Sequence, residues 1–398
     1  MDTKDKSSAG ITKDCGLLLP AALTLLERLI VILMNDFKAE PSILKEEMLT
    51  AVSRVIDSSW YVLGKEVESF EQEWSEMCGV SHAVGVGNGM DAIEIALRAL
   101  DIGSGDEVIT TSMTAFATVL AILRAGAVPV LADIDPETAL LDLNSVARCI
   151  SPKTRAVILV HLYGQVRNMN KWTSFCEEQD LLLIEDCAQA HVASWQGSFA
   201  GSFGKVGAYS FYPTKNLGAF GDAGALVTND FDIAKHASQL RNYGQSIRYH
   251  HPEIGMNSRL DEVHAAMLKV RMKWLTEFTK RRQVIAKAYR KGISNPVITL
   301  MAESQEATSH VYHLFVVRCN HREELQAHLY AAGVQTHFHY PVPVHHQEQC
   351  RSLRTDPKGL AFSELHAQTC LSLPCHPQIS GDDVETVISA INSFKGGA

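Results

Sequence analysis

The sequence predicts an α/β protein built around a largely parallel sheet. Short apolar, β-prone runs alternate with helix-patterned stretches, which is the pattern of strands joined by covering helices. One such run feeds a glycine-rich turn and another closes on an acid, both features of the ligand-binding edge of an open sheet. No repeat, low-complexity tract or Pro/Gly/Ser linker interrupts the body of the chain.

His82–Val86 reads as the first strand of this series, followed by a helix over about Met90–Leu100. Glu107–Thr111 is the next strand, with a helix over about Thr118–Ala125. Val128–Ile134, Ala156–Val160 and Leu181–Glu185 continue the series. After Leu260 a helical pattern runs to about Tyr289. Strand candidate His313–Arg318 and helix candidate Arg322–Ala332 then form a smaller mixed segment. The expected organisation is an extension over residues 1–33, a large domain over 34–262, and a linking helix with a small C-terminal α+β domain over 263–398.

The 398 residues suffice for a sizeable core and two domains. A hydrophobic fraction of 46% with 20% charged residues is an ordinary globular balance. The net charge, 36 − 45 = −9, argues against a nucleic-acid partner, because phosphate binding needs a basic surface. Nine cysteines without C-x-x-C spacing read as reduced thiols of a cytoplasmic protein. Residues 17–34 are strongly apolar, but Glu27 and Arg28 interrupt them, so they do not read as a membrane span. A signal peptide is not read either: Asp2 and Asp5 dilute the basic head and no small-residue cleavage site follows. Deleting residues 1–33, with Met34 as an alternative start, is expected to leave activity intact.

The chemistry centres on Lys215. It follows the aromatic, β-prone run Tyr209-Ser-Phe-Tyr-Pro-Thr and precedes a loop with glycines at 218, 221 and 224. A lysine amine forms an imine with an aldehyde when it is held close and shielded from water. Read alone it is as well explained as a solvated loop lysine. Asp186 changes that balance, because it closes Leu181-Leu-Leu-Ile-Glu-Asp186 at the C-terminal end of a buried strand. A buried carboxylate needs a cationic or hydrogen-bonding partner. A lysine imine and an aspartate facing a pyridinium nitrogen are the pair that pyridoxal phosphate (PLP) chemistry requires.

Several separated motifs carry a resemblance. They are Asn35-Asp36-Phe37, Val86-Gly-Asn-Gly-Met-Asp91, Glu185-Asp-Cys-Ala-Gln-Ala-His191, the Lys215 segment, Arg241-Asn-Tyr-Gly244, Gly255-Met-Asn-Ser-Arg259 and His339-Tyr-Pro-Val-Pro343. Over roughly residues 33 to 395 the chain resembles the DegT/DnrJ/EryC1/StrS family of sugar aminotransferases. The resemblance implies a PLP enzyme of the aspartate aminotransferase-like fold (fold type I).

It also implies roles for individual residues. Gly89, Met90 and Asp91 open a helix, whose free amides suit a phosphate. Relatives often place a hydroxyl where this chain has Met90. The same turn fits half of a dinucleotide fingerprint, but the next strand ends Ile109-Thr-Thr-Ser112 without the acid that fingerprint needs. Ser210 supplies another phosphate donor, and Asn257 reaches the same phosphate from the neighbouring subunit, which implies a homodimer. Gln189 meets the cofactor's 3-hydroxyl. His191 faces the substrate or is a buried structural histidine. The family's ring-stacking aromatic falls at Ala115, and Phe116, displaced by one residue, is expected to face the core.

His337, His339, His345 and His346 crowd around Tyr340. Neutral imidazoles are good zinc ligands, but no cysteine or carboxylate spacing completes a closed site. No metal is expected, and by resemblance His339 and Tyr340 border the nucleotide-sugar pocket. Arg241 and Tyr243 contribute to it or hold a surface loop.

The implied reaction is transamination from glutamate to a nucleotide-linked keto sugar, with a dTDP-linked 3-keto-6-deoxyhexose preferred over a 4-keto acceptor. Lys215 serves as imine former and proton carrier. A dehydratase of the same family would have histidine at position 215. A regulatory protein that had abandoned catalysis would be expected to have lost Lys215 or Asp186.

Overall fold

The computed structural model describes residues 32–396. Helices α1 (Ser42–Ser58) and α2 (Lys65–Cys78) precede β1 (His82–Val86), α3 (Gly89–Ala99), β2 (Glu107–Thr111), α4 (Phe116–Arg124) and β3 (Val128–Ala132). Next come α5 (Leu143–Cys149), β4 (Thr154–Val160), α6 (Met169–Glu178) and β5 (Leu182–Asp186). A hairpin of β6 (Ser194–Trp195) and β7 (Ser198–Phe199) leads into β8 (Val206–Ser210), β9 (Gly224–Thr228) and α7 (Phe231–Leu240). The long helix α8 (Glu262–Gly292) follows. After it come β10 (Thr299–Leu300), β11 (Phe315–Arg318), α9 (Arg322–Ala331), β12 (Arg354–Thr355), α10 (Ala361–Thr369), β13 (Cys370–Leu373) and α11 (Gly381–Ser393).

Eight strands form one sheet in the order β1-β9-β8-β5-β4-β2-β3-β12. Only β9 runs against the rest, pairing antiparallel with both β8 and β1. A mostly parallel sheet must be covered on both faces, and apolar cores lie on each side. On one side Phe70, Trp74, Tyr209, Phe211 and Leu217 pack together; on the other, Ile93, Leu97, Ile158, Ile184 and Leu226. The smaller unit is an antiparallel sheet, β10-β11-β13, covered by α9, α11 and the C-terminal half of α8 around Tyr289, Phe315 and Ile388.

The two units exchange segments. Strand β12, from the C-terminal part of the chain, completes the large sheet by pairing with β3. Ile32, from the N-terminal part, joins the small unit: its N–H donates to Gly333 O (3.1 Å), its carbonyl accepts from Gln335 N (2.9 Å), and its side chain is 5% exposed within that core. The segment just before Met34 is therefore woven into the fold. The remainder of residues 1–33, including most of the apolar stretch 17–34, lies outside the described residues. Among the described residues no helix is long and apolar enough to cross a membrane. The eight cysteines among them are all buried and unpaired.

Local departures from the expected elements have local causes. Strand β3 stops at Ala132, two residues early, because Asp133 turns its carboxylate to accept from Ile134 N, Phe362 N and Ser363 N. Helix α4 starts at Phe116, and this first-turn position leaves Phe116 38% exposed, so it does not face the core as expected.

Candidate active site

The site forms where several strands end together. Across β1, β9 and β8, Val86, Gly224 and Ser210 stand in one register row at the carboxyl edge of the sheet. Beyond β1 the chain turns at Asn88 into α3, bringing Gly89 against Ser210. A Cβ at Gly89 would lie 2.5 Å from Ser210 Cβ, and one at Gly224 would lie 2.4 Å from the Asn88 carbonyl carbon. Only glycine permits this approach. Asn88 caps the helix, its side chain accepting from Asp91 N at 2.8 Å. That takes the Asp91 amide and leaves those of Gly89 and Met90, which have no acceptor inside the helix, to face the edge. The cradle is closed from behind by Gly87 N donating to Ser258 Oγ (2.9 Å), which fixes the neighbouring Asn257 segment to this turn. Asn257 itself is exposed.

Strand β5 ends in two acids that alternate across the sheet. Glu185 is fully buried and accepts from Gly201 N, Phe203 N, Gly204 N and His161 Nε2, all at 2.8 Å. Asp186, on the opposite face, accepts from Thr118 Oγ1 (2.8 Å) and Ala188 N (3.1 Å).

Lys215 follows β8 in a tight loop. Its N–H donates to Tyr212 O (2.8 Å), and Ala219 N returns to Phe211 O (2.7 Å). A Cβ at Gly218 would meet Pro213 O at 2.4 Å, so this turn also requires glycine. The next residue, Asn216, bonds Val311 O and His313 Nδ1 (both 3.2 Å), tying the loop to the segment that leads into β11. Burial pulls the Lys215 ammonium from 10.5 down to about 8, with the Asp186 carboxylate pulling the other way.

Gln189 lies beyond Asp186. Its Oε1 accepts from Tyr163 N (2.7 Å) and its Nε2 donates to Tyr340 Oη (3.2 Å). Tyr163 in turn donates to His339 O and lies 2.8 Å from His366 Nε2. His339 Nδ1 meets Ser372 Oγ at 2.8 Å, and burial, with His337 and Lys215 nearby, pushes His339 down to about 4. This imidazole is neutral at physiological pH. Beside it a cavity of about 240 Å³ is lined by Asn35, Thr214, His313, Gln335, His337 and His339.

The other substrate candidates are placed differently. His191 is fully buried between Trp74, Tyr209 and Phe211, with ring centroids 5.6 to 5.9 Å away. Neither of its ring nitrogens has a hydrogen-bond partner among the described residues. Burial first, and Lys215 second, hold it at about 3, so it stays neutral. Arg241 donates to Gly85 O (2.7 Å) and pairs with Glu71, which itself accepts from Gly85 N (2.7 Å). Its guanidinium thus clamps the end of β1. Tyr243 is 45% exposed, in a positive-φ turn, with the Arg259 guanidinium 5.2 Å above its ring. His345 and His346 both approach Glu364 Oε1, at 3.1 and 3.6 Å.

The residues present fit pyridoxal phosphate: an amine of depressed basicity, an aspartate across from it, and a glycine-lined cradle with free helix amides. A model of the DegT/DnrJ/EryC1/StrS aminotransferase family matches residues 42–392. The chain belongs to that family. It is 42% identical over 360 residues to the dTDP-3-amino-3,4,6-trideoxy-alpha-D-glucose transaminase of Streptomyces venezuelae, covering 90% of this chain and 95% of that one. A pleiotropic regulatory protein of Geobacillus stearothermophilus is 39% identical over 363 residues, covering 91% and 98%. The crystal structure of S. venezuelae DesV in complex with a ketimine intermediate superposes with a TM-score of 0.87 over 91% of this chain and 97% of that one, at 42% identity. The fold is thus that of the PLP-dependent aminotransferases, and the chain is an enzyme of the transaminase class.

Several residues of the site were not read from the sequence: Thr118, Glu185, Tyr163, Asn216 and His313. Thr118 carried one visible signal, a hydroxyl in the first turn of a helix at the ligand edge. Glu185 carried another, an acid in an otherwise apolar strand.

Proposed function

We propose that this family member moves an amino group from glutamate to a nucleotide-linked keto sugar, with a dTDP-linked 3-keto-6-deoxyhexose as acceptor. The observation that carries the reading is the Lys215 amine, buried enough to fall to about 8, opposite Asp186 at the carboxyl edge of the sheet. PLP supplies the electron sink and carries the amino group between the two substrates.

The chain's own residues supply the rest. Lys215 Nζ would take the proton from the donor's α-carbon in one half-reaction and deliver a proton to the sugar carbon in the other, a task suited to a group titrating near neutral pH. Asp186 would meet the pyridine nitrogen of the bound cofactor. Gly89, Met90 and Ser210 would hold the phosphate, and Gln189 the 3-hydroxyl. Neutral His339 with Tyr340 lines the acceptor side, and imidazoles without charge suit sugar hydroxyls. The 42% identity to a dTDP-sugar transaminase supports the nucleotide and the sugar.

A homodimer with Asn257 crossing into the partner's site, in the cytoplasm, completes the reading. Exposed aromatics support it: Tyr212 and Phe220 flank Lys215, and Tyr243 adjoins Asn257 through the Asn242–Asn257 bridge. The likeness to a regulatory protein keeps a second reading in play, although Lys215 and Asp186 are both in place. Incubation with glutamate and a panel of dTDP-, UDP- and GDP-linked 3- and 4-keto sugars tests the proposal. A dTDP-3-amino sugar is the expected product, and amination of only 4-keto sugars would overturn the choice of acceptor.

A further inference from the structure

Thr118 and Thr114 form a hydroxyl chain ending on the site's aspartate. Thr118 is 1% exposed in the first turn of α4, with its Oγ1 2.8 Å from Asp186 Oδ2. Thr114, 4% exposed, places its own Oγ1 2.9 Å from Thr118 Oγ1. Helical threonines commonly spend their hydroxyl on the carbonyl four residues back. Here the Thr118 side chain turns to the carboxylate instead, and Thr114, just before the helix, turns to Thr118.

The direction of the chain follows from chemistry. A carboxylate only accepts, so the Thr118 hydrogen goes to Asp186. Thr118 has then used its one hydrogen, and Thr114 must donate to Thr118. The other carboxylate oxygen is held by Ala188 N at 3.1 Å. Asp186 is thus pinned at both oxygens by two different elements, α4 and its own loop, and cannot rotate about its last torsion without losing one of them. This arrangement needs no titration of any group.

We propose that Thr118, backed by Thr114, is a positioning residue that fixes the Asp186 carboxylate in the plane from which it meets the cofactor's ring nitrogen. The inference rests on the reading that Asp186 makes that contact. It also answers the question left by Ala115, where the family's stacking aromatic is absent: ring alignment then leans more on the edge contact at the nitrogen.

The test compares wild type with Thr118→Val, Thr118→Ser and Asp186→Asn. The readouts are PLP dissociation constant by titration of cofactor-free protein, thermal midpoint of that protein, and kcat and KM with the amino donor that the wild type accepts. Valine keeps the shape and removes the hydroxyl. For Thr118→Val we expect about tenfold weaker PLP binding and about tenfold lower kcat, as for one lost hydrogen bond to a charged group. KM for the donor should stay close to wild type, the midpoint of cofactor-free protein should fall because Asp186 loses a buried partner, and Thr118→Ser should recover PLP binding, kcat and midpoint. A Thr118→Val enzyme within twofold of wild type overturns the inference, as does a serine variant no better than valine, which would mean that restoring the hydroxyl does not restore the function. Asp186→Asn separates the two layers. If it too behaves as wild type, the reading beneath the inference has failed; if it is crippled while Thr118→Val is not, the inference alone has.

Discussion

Replacing Lys215 with methionine should make the cofactor-free protein more stable at neutral pH. The unfolded chain carries Lys215 as an ordinary ammonium near 10.5, and burial in the folded chain lowers it to about 8. The difference of about 2.5 units corresponds to about 3 kcal/mol, taken as an upper bound because the Lys215 side chain keeps some contact with solvent. The sign follows from proton counting. Between about pH 8 and 10.5 the unfolded state binds more protons, so wild-type stability rises with pH through that window. Below about 8 the full cost of burying the ammonium is present, and above 10.5 it is gone. Methionine, of similar length and without charge, removes the cost while Thr118 and Ala188 still satisfy Asp186. Urea denaturation of both cofactor-free proteins, at equal concentration, would be compared at pH 7 and pH 10. The variant should exceed wild type by about 1 to 3 kcal/mol at pH 7, with a smaller gap at pH 10. A variant less stable at pH 7, or a gap independent of pH, would refute the claim that the amine is held at a desolvation cost.

Three further outcomes follow. Glu185→Gln turns an acceptor of four hydrogen bonds into a group whose amide end opposes N–H donors, and should cost about 3 kcal/mol by denaturation, because buried donors lose their partner. Ile32→Ala should cost about 2 to 4 kcal/mol from a buried side chain while leaving kcat unchanged, since Ile32 packs in the small unit. Truncation to Met34 should show a loss of at least that size in the same measurement.

Much of this molecule was legible in its sequence because periodicity is local. The bounds of β1 and β2 agree with the apolar runs His82–Val86 and Glu107–Thr111, and the long helix was visible in its repeat. The ligand edge was legible through Lys215, Asp186 and the Gly89 turn, since strand ends and glycines mark it. What escaped depends on contacts between distant residues. Nothing near Arg241 says that Glu71, 170 residues away, holds it at Gly85. Nothing near His191 foretells an aromatic cage drawn from α2 and β8. The reversal of β9, the recruitment of β12 to the large sheet and the docking of Ile32 are pairings between remote segments. Phe116 was misjudged because a helix boundary shifted by two residues moves a side chain from one face to another.

The central claim is that Lys215 holds the cofactor and carries the proton in transamination. Its most direct test is the absorption spectrum of purified protein loaded with PLP, before and after adding glutamate. The account predicts a yellow protein whose long-wavelength band bleaches with glutamate and returns with a keto-sugar acceptor, and a Lys215→Ala protein that shows neither change. A Lys215→Ala protein that still aminates the sugar would contradict it.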